Sequence, residues 1–296
     1  MNTFEEFCQK IEFPKEAIAH LLTCRDKMLA AAGAADDLSR AKEMLFYYET
    51  DAEYLEILQS ISERSGVHRY SVDMVFYVMS ALPLYHRYLR HGYSEEQYWE
   101  NMMDLRCKLH ECHDVYGIWG TFVSWFAYFY RLKRFKLGRL QYEEIAFPEA
   151  DYHGILKAGD TVLNCHIPSC GPLKPEDVMD SLKQAYAFYR AHHKNGLLPV
   201  ICSSWLLYPI HGEMFTPGSN LRSFYEIFDI VSQKERPNEK DFWRIFNQPY
   251  DPATLASAPE DTRLRRVLKE YLLAGNSMGQ AVGVLLFDGE RLVRPE

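Results

Sequence analysis

A change of hydrophobic period near residues 131–137 divides this sequence in two. Apolar residues three and four apart commit a segment to a helix, whereas strict alternation commits it to a strand. In the first part, Glu16 to Ala32 carries Ile18, Leu21, Leu22 and Met28 at helical spacing, and Gly33 closes it. Asp36 and Asp37 precede a second helix with Ala41, Met44, Leu45 and Tyr48 on one face, and Ala52 to Ile61 places Leu55, Leu58 and Ile61 three residues apart. The stretch YSVDMVFYVMSALPLYHRYLRHG reads as a longer apolar helix, with Ser71 as its N-cap and Pro83 as a kink point. Ser94 opens SEEQYWENMMDLRCKLHECHDVYG, with carboxylates in the first turn and Gly117 past the end. Almost nothing before residue 130 alternates with period two.

The second part has a different grammar. Leu140, Tyr142 and Ala146 alternate with Arg139, Gln141 and Glu143, a strand pattern that Pro148 ends. ADYHGILKAGDTVLNCHIP reads as a hairpin-like pair with AGD as its turn, followed by a helix from Pro175 to His192. LLPVICSSWLL is a buried-strand pattern, SNLRSFYEIFDIVSQ a helix capped by Ser219 or Asn220, and EKDFWRIFN a short helix. DTRLRRVLKEYLLAG is a helix ended by Gly275, and GQAVGVLLFDGERLVR a terminal strand or hairpin. The predicted class is α+β, with an all-helical domain over 1–133 and a mixed-sheet domain with flanking helices over 134–296.

Composition limits the function. Apolar residues make up 47% and charged residues 25%, so a chain of 296 residues can bury a sizeable core without staples. The 20 Tyr and 17 Phe supply unusually large buried areas. A net charge of −8 disfavours nucleic-acid binding, which needs Lys and Arg against phosphates. Seven cysteines without a CxxC pair read as reduced thiols, and MNTFEEFCQKIEFPKEA lacks a signal-peptide core, so a cytoplasmic protein is expected. Ile118 to Tyr130 is too short to span a membrane, so no membrane partner is expected.

Three clusters could carry chemistry. Cys107, His110, Cys112, His113 and Asp114 offer zinc-ligand types, but only Cys107, His110 and Asp114 share a helix face and no second cluster completes the set, so no metal is assigned. Cys202, Ser203 and Ser204 lie in an apolar strand without a nucleophile elbow, and His166, His192, His193 and His211 are in the same half, the residue types of a hydrolase without its signature. The third cluster is TVLNCHIPSCGPLKPEDVMD. Val162, Asn164 and His166 share one strand face and Leu163, Cys165 and Ile167 the other. A strand face with Asn and His on it is either half-exposed or turned towards a cleft. After Pro168, the SCGPLK loop could offer amides and Lys174 to an anion, with the following helix adding its positive end. Glu176 and Asp177, in that helix's first turn, oppose a phosphate there.

The stretches LGRLQYE, VLNCHIPSCGPL, CSSWLLYP, SNLRSFYEIFDI and DTRLRRVLKEYLLAG, followed by GVLLF, resemble the two-domain GNAT-like acyltransferases, across most of the chain. That resemblance implies a helical N-terminal domain, a GNAT-like C-terminal domain, and transfer of an acyl group from acetyl-CoA or another acyl-CoA to an amine on a small-molecule acceptor. In the wider superfamily a central strand pairs with the pantetheine, and the next loop and helix hold the pyrophosphate through Q/R-x-x-G-x-G/A. The resemblance places Asn164, Cys165 and Ile167 on that strand and Ser169, Cys170, Gly171 and Lys174 in that loop. The sequence departs from the motif: of its glycines only Gly171 is present, and Pro172 and Pro175 remove amide donors.

Acyl transfer needs a base for the amine and a proton donor for the leaving thiolate. His166 is the first candidate base, because imidazole titrates near neutrality. Glu143 and Glu144 are alternatives, Ser204 and Tyr208 candidate donors or orienting groups, and Arg139 and Gln141 either substrate contacts or surface ion-pair residues. The rival expectation is a catalytically inactive GNAT-like module that binds a small ligand or a protein partner.

Overall fold

Helical spacing in the first part is realised as α1 (Phe4–Lys10), α2 (Lys15–Ala30), α3 (Ala34–Tyr47), α4 (Ala52–Ser65), α5 (Arg69–Arg90), α6 (Glu95–Tyr116) and α7 (Ala127–Tyr130). The structure is a computed structural model that describes residues 3–236 and 240–295. Packing divides the chain into two compact units, Met1–Phe135 and Lys136–Glu296. The expected start of α6 holds: the Ser94 hydroxyl accepts from the Gln97 amide, and Gly117, at φ +69°, ends the helix in the left-handed region.

Other helix boundaries are corrected. Ser71 does not cap α5; the His68 ring accepts from the Tyr70 amide instead, and Ser71 lies buried inside the helix, donating to the Trp119 carbonyl at 3.0 Å. α4 continues past Ile61 to Ser65, while α5 runs through Pro83 to Arg90 as its pattern predicts. Gly33 sits at the N-cap of α3 rather than closing α2.

The core of the helical unit is rich in tyrosine. Tyr54, Tyr77, Tyr88, Tyr98 and Tyr130 are fully buried. A buried hydroxyl is costly unless hydrogen-bonded, and these are. Tyr130 donates to the Tyr77 carbonyl at 2.6 Å, Tyr98 to the Ala81 carbonyl at 2.8 Å and Tyr88 to the Phe129 carbonyl at 3.2 Å. The Tyr54 and Tyr77 hydroxyls bond each other at 3.1 Å.

The second unit contains β2 (Leu140–Ala146), β3 (Asp151–Tyr152), β4 (Leu156–Lys157), β5 (Thr161–His166), α8 (Pro175–Phe188), β6 (Leu198–Ser204), α9 (Pro209–Met214), α10 (Asn220–Glu226), β7 (Asp229–Glu235), α11 (Trp243–Phe246), α12 (Arg263–Leu273), β8 (Gly279–Phe287) and β9 (Leu292–Val293). A short strand, β1 (Arg134–Leu137), precedes them and was not anticipated in the basic stretch around it. Among the described residues, seven strands form one mixed sheet in the order β1-β2-β5-β6-β8-β7, with β9 on β8. β5 and β6 are parallel, joined by the crossover through α8; β2–β5, β6–β8 and β7–β8 are antiparallel.

The expected hairpin around AGD is corrected. β3 and β4 pair with each other across His153 and Gly154, both at positive φ, as a separate two-stranded sheet. AGD instead leads into β5, held where the Phe147 amide donates to the Asp160 carbonyl at 2.7 Å. SNLRSFYEIFDIVSQ is also two elements: Ser219 caps α10, which stops at Glu226, and Asp229 begins β7. Short apolar runs fit either period, and pairing with β8 decides for the strand. The expected helix to His192 ends at Phe188 and continues as a 3-10 turn, Arg190–His192. Of EKDFWRIFN only Trp243–Phe246 is α-helical, and Glu239 lies outside the described residues.

Alternation along the strands gives the sheet two faces. Tyr142 turns towards α8, where its hydroxyl bonds Ser181 at 2.9 Å. The opposite face packs Val162, Ile201, Val284 and Leu286 with Phe147, Tyr152 and Leu156. Towards the C-terminal end of β5 that same face becomes polar.

Candidate active site

The parallel ladder between β5 and β6 is short. It pairs Leu163 with Val200 and Asn164 with Ile201, and no pairing follows. β6 nevertheless stays paired with β8 out to Ser204, and β5 with β2 out to His166. The C-terminal ends of two neighbouring strands are thus held from outside, with no ladder pairing between them beyond Asn164 and Ile201. On the α8 side the Cys165 and Cys202 thiols meet. The hydrogen bond with Cys202, followed by burial, pushes the Cys165 thiol well above its usual range. Cys202 is itself 1% exposed. A thiol raised in this way lacks thiolate character, so Cys165 gives no support to a cysteine hydrolase.

On the opposite face, the β2–β5 register sets Glu143 across from Asn164 and Gln141 across from His166. The His166 Nε2 lies 2.7 Å from Glu143 Oε1, and the Asn164 side-chain amide donates to the same oxygen at 3.2 Å. Asn164 Nδ2 is also 3.1 Å from His166 Nε2. Glu143 is a carboxylate acceptor, so the consistent assignment has Nε2–H and the Asn164 amide both donating to Glu143. That tautomer makes Nδ1 the basic nitrogen of the ring, the arrangement by which a carboxylate orients a histidine base. The Glu143 side chain is 9% exposed and that of His166 34%. The pair therefore combines a buried orienting charge with an accessible ring.

The other expected residues disperse. Glu144 projects to the other face, where His192 Nε2 lies 3.1 Å from its carboxylate. The Ser204 hydroxyl accepts from the Leu206 amide and caps the turn after β6. Tyr208 is buried at the same end of the sheet, with its ring against Gly279, where a Cβ would come within 2.4 Å of it. Burial, then the nearby Glu235, raises its phenol pKa, so Tyr208 carries its proton at neutral pH. Beside it, His211 Nδ1 donates to the Trp205 carbonyl at 2.8 Å, and Nε2 is buried without a partner among the described residues. Burial lowers the His211 pKa and keeps that ring neutral. Its position beside the site was not signalled by the sequence.

After Ile167 and Pro168, the loop Ser169, Cys170, Gly171 and Lys174 leads into α8. Gly171 sits at φ +99°, a conformation that needs glycine. No side chain caps the first turn of α8. That end suits an anion through its amides, while Pro175 removes one amide and Glu176 and Asp177 oppose the charge. Arg139 faces the loop that follows β5. Its guanidinium donates to the Pro168, Gly171 and Pro172 carbonyls at 2.9, 2.7 and 2.9 Å. Near the other polar cluster, His113 stacks on Trp119 at 3.7 Å, and Cys107 and Cys112 are buried.

Known proteins share this architecture. A solved acyltransferase in complex with decanoyl-CoA and teicoplanin superposes with a TM-score of 0.73 at 19% identity, covering 94% of this chain and 86% of that one. An acyltransferase mutant in complex with octanoyl-CoA gives 0.70 at 20% identity over 94% and 86%. An acyltransferase in complex with CoA and 10C-teicoplanin gives 0.62 at 20% identity over 95% and 98%. At these identities the likeness shows a shared fold. No curated protein sequence matches the chain. The N-acyltransferase N-terminal domain family matches residues 2–132 and the GNAT-like C-terminal domain family residues 134–285. With a sheet whose central parallel strands stop pairing beyond Asn164 and Ile201 and whose polar face carries the His166–Glu143 pair, this chain belongs to the two-domain GNAT-like acyltransferase family.

Proposed function

We propose that the protein is an acyl-CoA-dependent N-acyltransferase acting on an amine of a small-molecule acceptor. The observation that carries this is the unpaired interval between β5 and β6, with the Glu143-oriented His166 at its edge. Strand-edge amides and carbonyls there fit the amides of a pantetheine arm, by the same pairing that joins strands elsewhere. Asn164, Cys165 and Ile167 line the β5 side, and the Ser169–Lys174 loop lies where the pyrophosphate would reach. The solved neighbours were crystallised with decanoyl-CoA, octanoyl-CoA or CoA, one of them also with teicoplanin and another with 10C-teicoplanin, which supports an acyl-CoA donor and a small-molecule acceptor.

In this reading His166 Nδ1 takes the proton from the attacking amine as its nitrogen bonds to the thioester carbonyl carbon. Glu143 holds the ring and stabilises the imidazolium, and Asn164 holds Glu143. Tyr208, still protonated, supplies a proton to sulfur as the C–S bond breaks. Glu144 has no part, since it lies on the other face, and the Ser204 hydroxyl serves the turn. Free cysteines throughout the described residues support a reducing, cytoplasmic setting.

Calorimetric titration with acetyl-, octanoyl- and decanoyl-CoA tests the reading. Saturable binding, followed by release of free CoA on adding amines, is expected. Absence of binding at millimolar thioester would overturn it. Pro172 and Pro175, with Glu176 and Asp177 after them, favour a second reading, a GNAT-like module that binds a ligand or protein partner without turnover. Acyl transfer to any amine that depends on His166 excludes that alternative.

A further inference from the structure

We propose that Arg139 is a positioning residue that presets the pyrophosphate loop and so substitutes for the missing glycines; this rests on the acyl-CoA reading above. Arg139 stands just after Gly138 in the turn between β1 and β2, and its three nitrogens draw in the carbonyls of Pro168, Gly171 and Pro172. No peptide bond among the described residues is cis. Across a trans peptide, the carbonyl and the next N–H point in opposite directions. Turning the Pro168 and Pro172 carbonyls onto Arg139 therefore turns the Ser169 and Leu173 amides away from it. Neither amide has a hydrogen-bond partner among the described residues. The third carbonyl, that of Gly171, precedes Pro172 and leaves no amide on the far side. The result is a loop with three carbonyls turned onto Arg139 and two amides left unpaired, followed by the uncapped first turn of α8.

The same turn also fixes the helix. The Ser181 hydroxyl of α8 donates to the Leu137 carbonyl and accepts from the Leu140 amide at 3.1 Å, just before and after Gly138 and Arg139. Gly138, at φ +64°, lies so close that a Cβ would come within 3.1 Å of Gln184 and 3.4 Å of the Ser181 backbone. Loop and helix are therefore referenced to one turn. In the glycine-rich form of such a loop, backbone freedom allows the amides to turn towards phosphate. Here prolines remove that freedom, and the guanidinium supplies the orientation instead. A lysine cannot reproduce this, because a point-charge ammonium does not span three carbonyls in one plane.

The test compares two acyl donors on the full chain: decanoyl-CoA, and S-decanoyl-pantetheine, which lacks the pyrophosphate. The expected result for Arg139→Ala is a loss of affinity for decanoyl-CoA of at least about tenfold, the size of lost hydrogen bonds to a charged group, with pantetheine thioester binding within about twofold of wild type. Arg139→Lys should show most of the same loss. Ser169→Pro removes one of the two amides without touching Arg139 and should weaken only the CoA thioester; it keeps the question open to test if Arg139→Ala fails to fold. Equal losses for both donors, no loss, or full rescue by lysine would overturn the assignment. Wild-type protein that binds both donors equally would overturn it while leaving acyl transfer standing. Wild-type protein that binds neither removes the acyl-CoA reading itself.

Discussion

The helical unit and the sheet unit both bury polar side chains, but to different ends. In the helical unit, Tyr88, Tyr98 and Tyr130 each donate to a main-chain carbonyl, so their hydroxyls are consumed by architecture. In the sheet unit, Glu143, Asn164 and His166 bond to one another across the paired strands β2 and β5. A polar group bonded to the backbone completes a fold; a carboxylate bonded to an imidazole adjusts a proton's position. Burial alone does not separate the two cases. The partner does.

The sharpest way to break this comparison is His166→Ala. The expected outcome is a fall in kcat of about 10²- to 10⁴-fold, the usual contribution of a general base, with the thermal midpoint within a few degrees of wild type. A parallel loss of stability would place His166 with the structural tyrosines instead.

Asp73 sharpens the comparison from the helical side. Burial raises its pKa to about 6 against an ordinary 3.8, and Arg69, 2.6 Å away, offsets only part of this. Because the folded value is the higher one, the folded state holds the proton more tightly. The stability this contributes is complete below pH 3.8 and is lost as the pH rises through about 6. The loss is on the order of 2–3 kcal/mol. Urea melts from pH 4 to 7.5 should show that decline in wild type and a flatter profile in Asp73→Asn. An unchanged slope would remove Asp73 as its source.

The smallest expected effect is that of Tyr98→Phe. It removes one hydroxyl and leaves the Ala81 carbonyl without that donor, for a cost of about 1–2 kcal/mol. Denaturant melts should register it while acyl transfer stays unchanged. A change in rate without a change in stability would mean that the tyrosine network serves the chemistry after all.

Much of the fold was legible in local pattern. Ser94 and Gly117 mark the ends of α6 because caps act within one turn. Ser71 misled, since a serine followed by apolar residues looks the same at an N-cap and inside a buried helix; the Trp119 carbonyl that holds it is 48 residues away. FDIVSQ became a strand because β8, far along the chain, pairs with it. The candidate site was half legible. His166 and Glu143 each stood out as polar residues on an apolar strand. That they bond each other, while Glu144 turns away to His192, depends on register across 23 residues. A one-residue slip would exchange Glu143 for Glu144.

By itself the sequence determined the helical first part, the change of period near residues 131–137, the α8 helix and the set of polar residues from which a site could be built. These depend on period and capping, which are local. Tertiary structure alone decided that β5 and β6 cease to pair beyond Asn164 and Ile201, that Glu143 orients His166, and that Arg139 gathers the carbonyls of a loop some thirty residues on. Hydrogen bonds are made wherever donors and acceptors are brought within about 3 Å, and in this chain distant strands do the bringing.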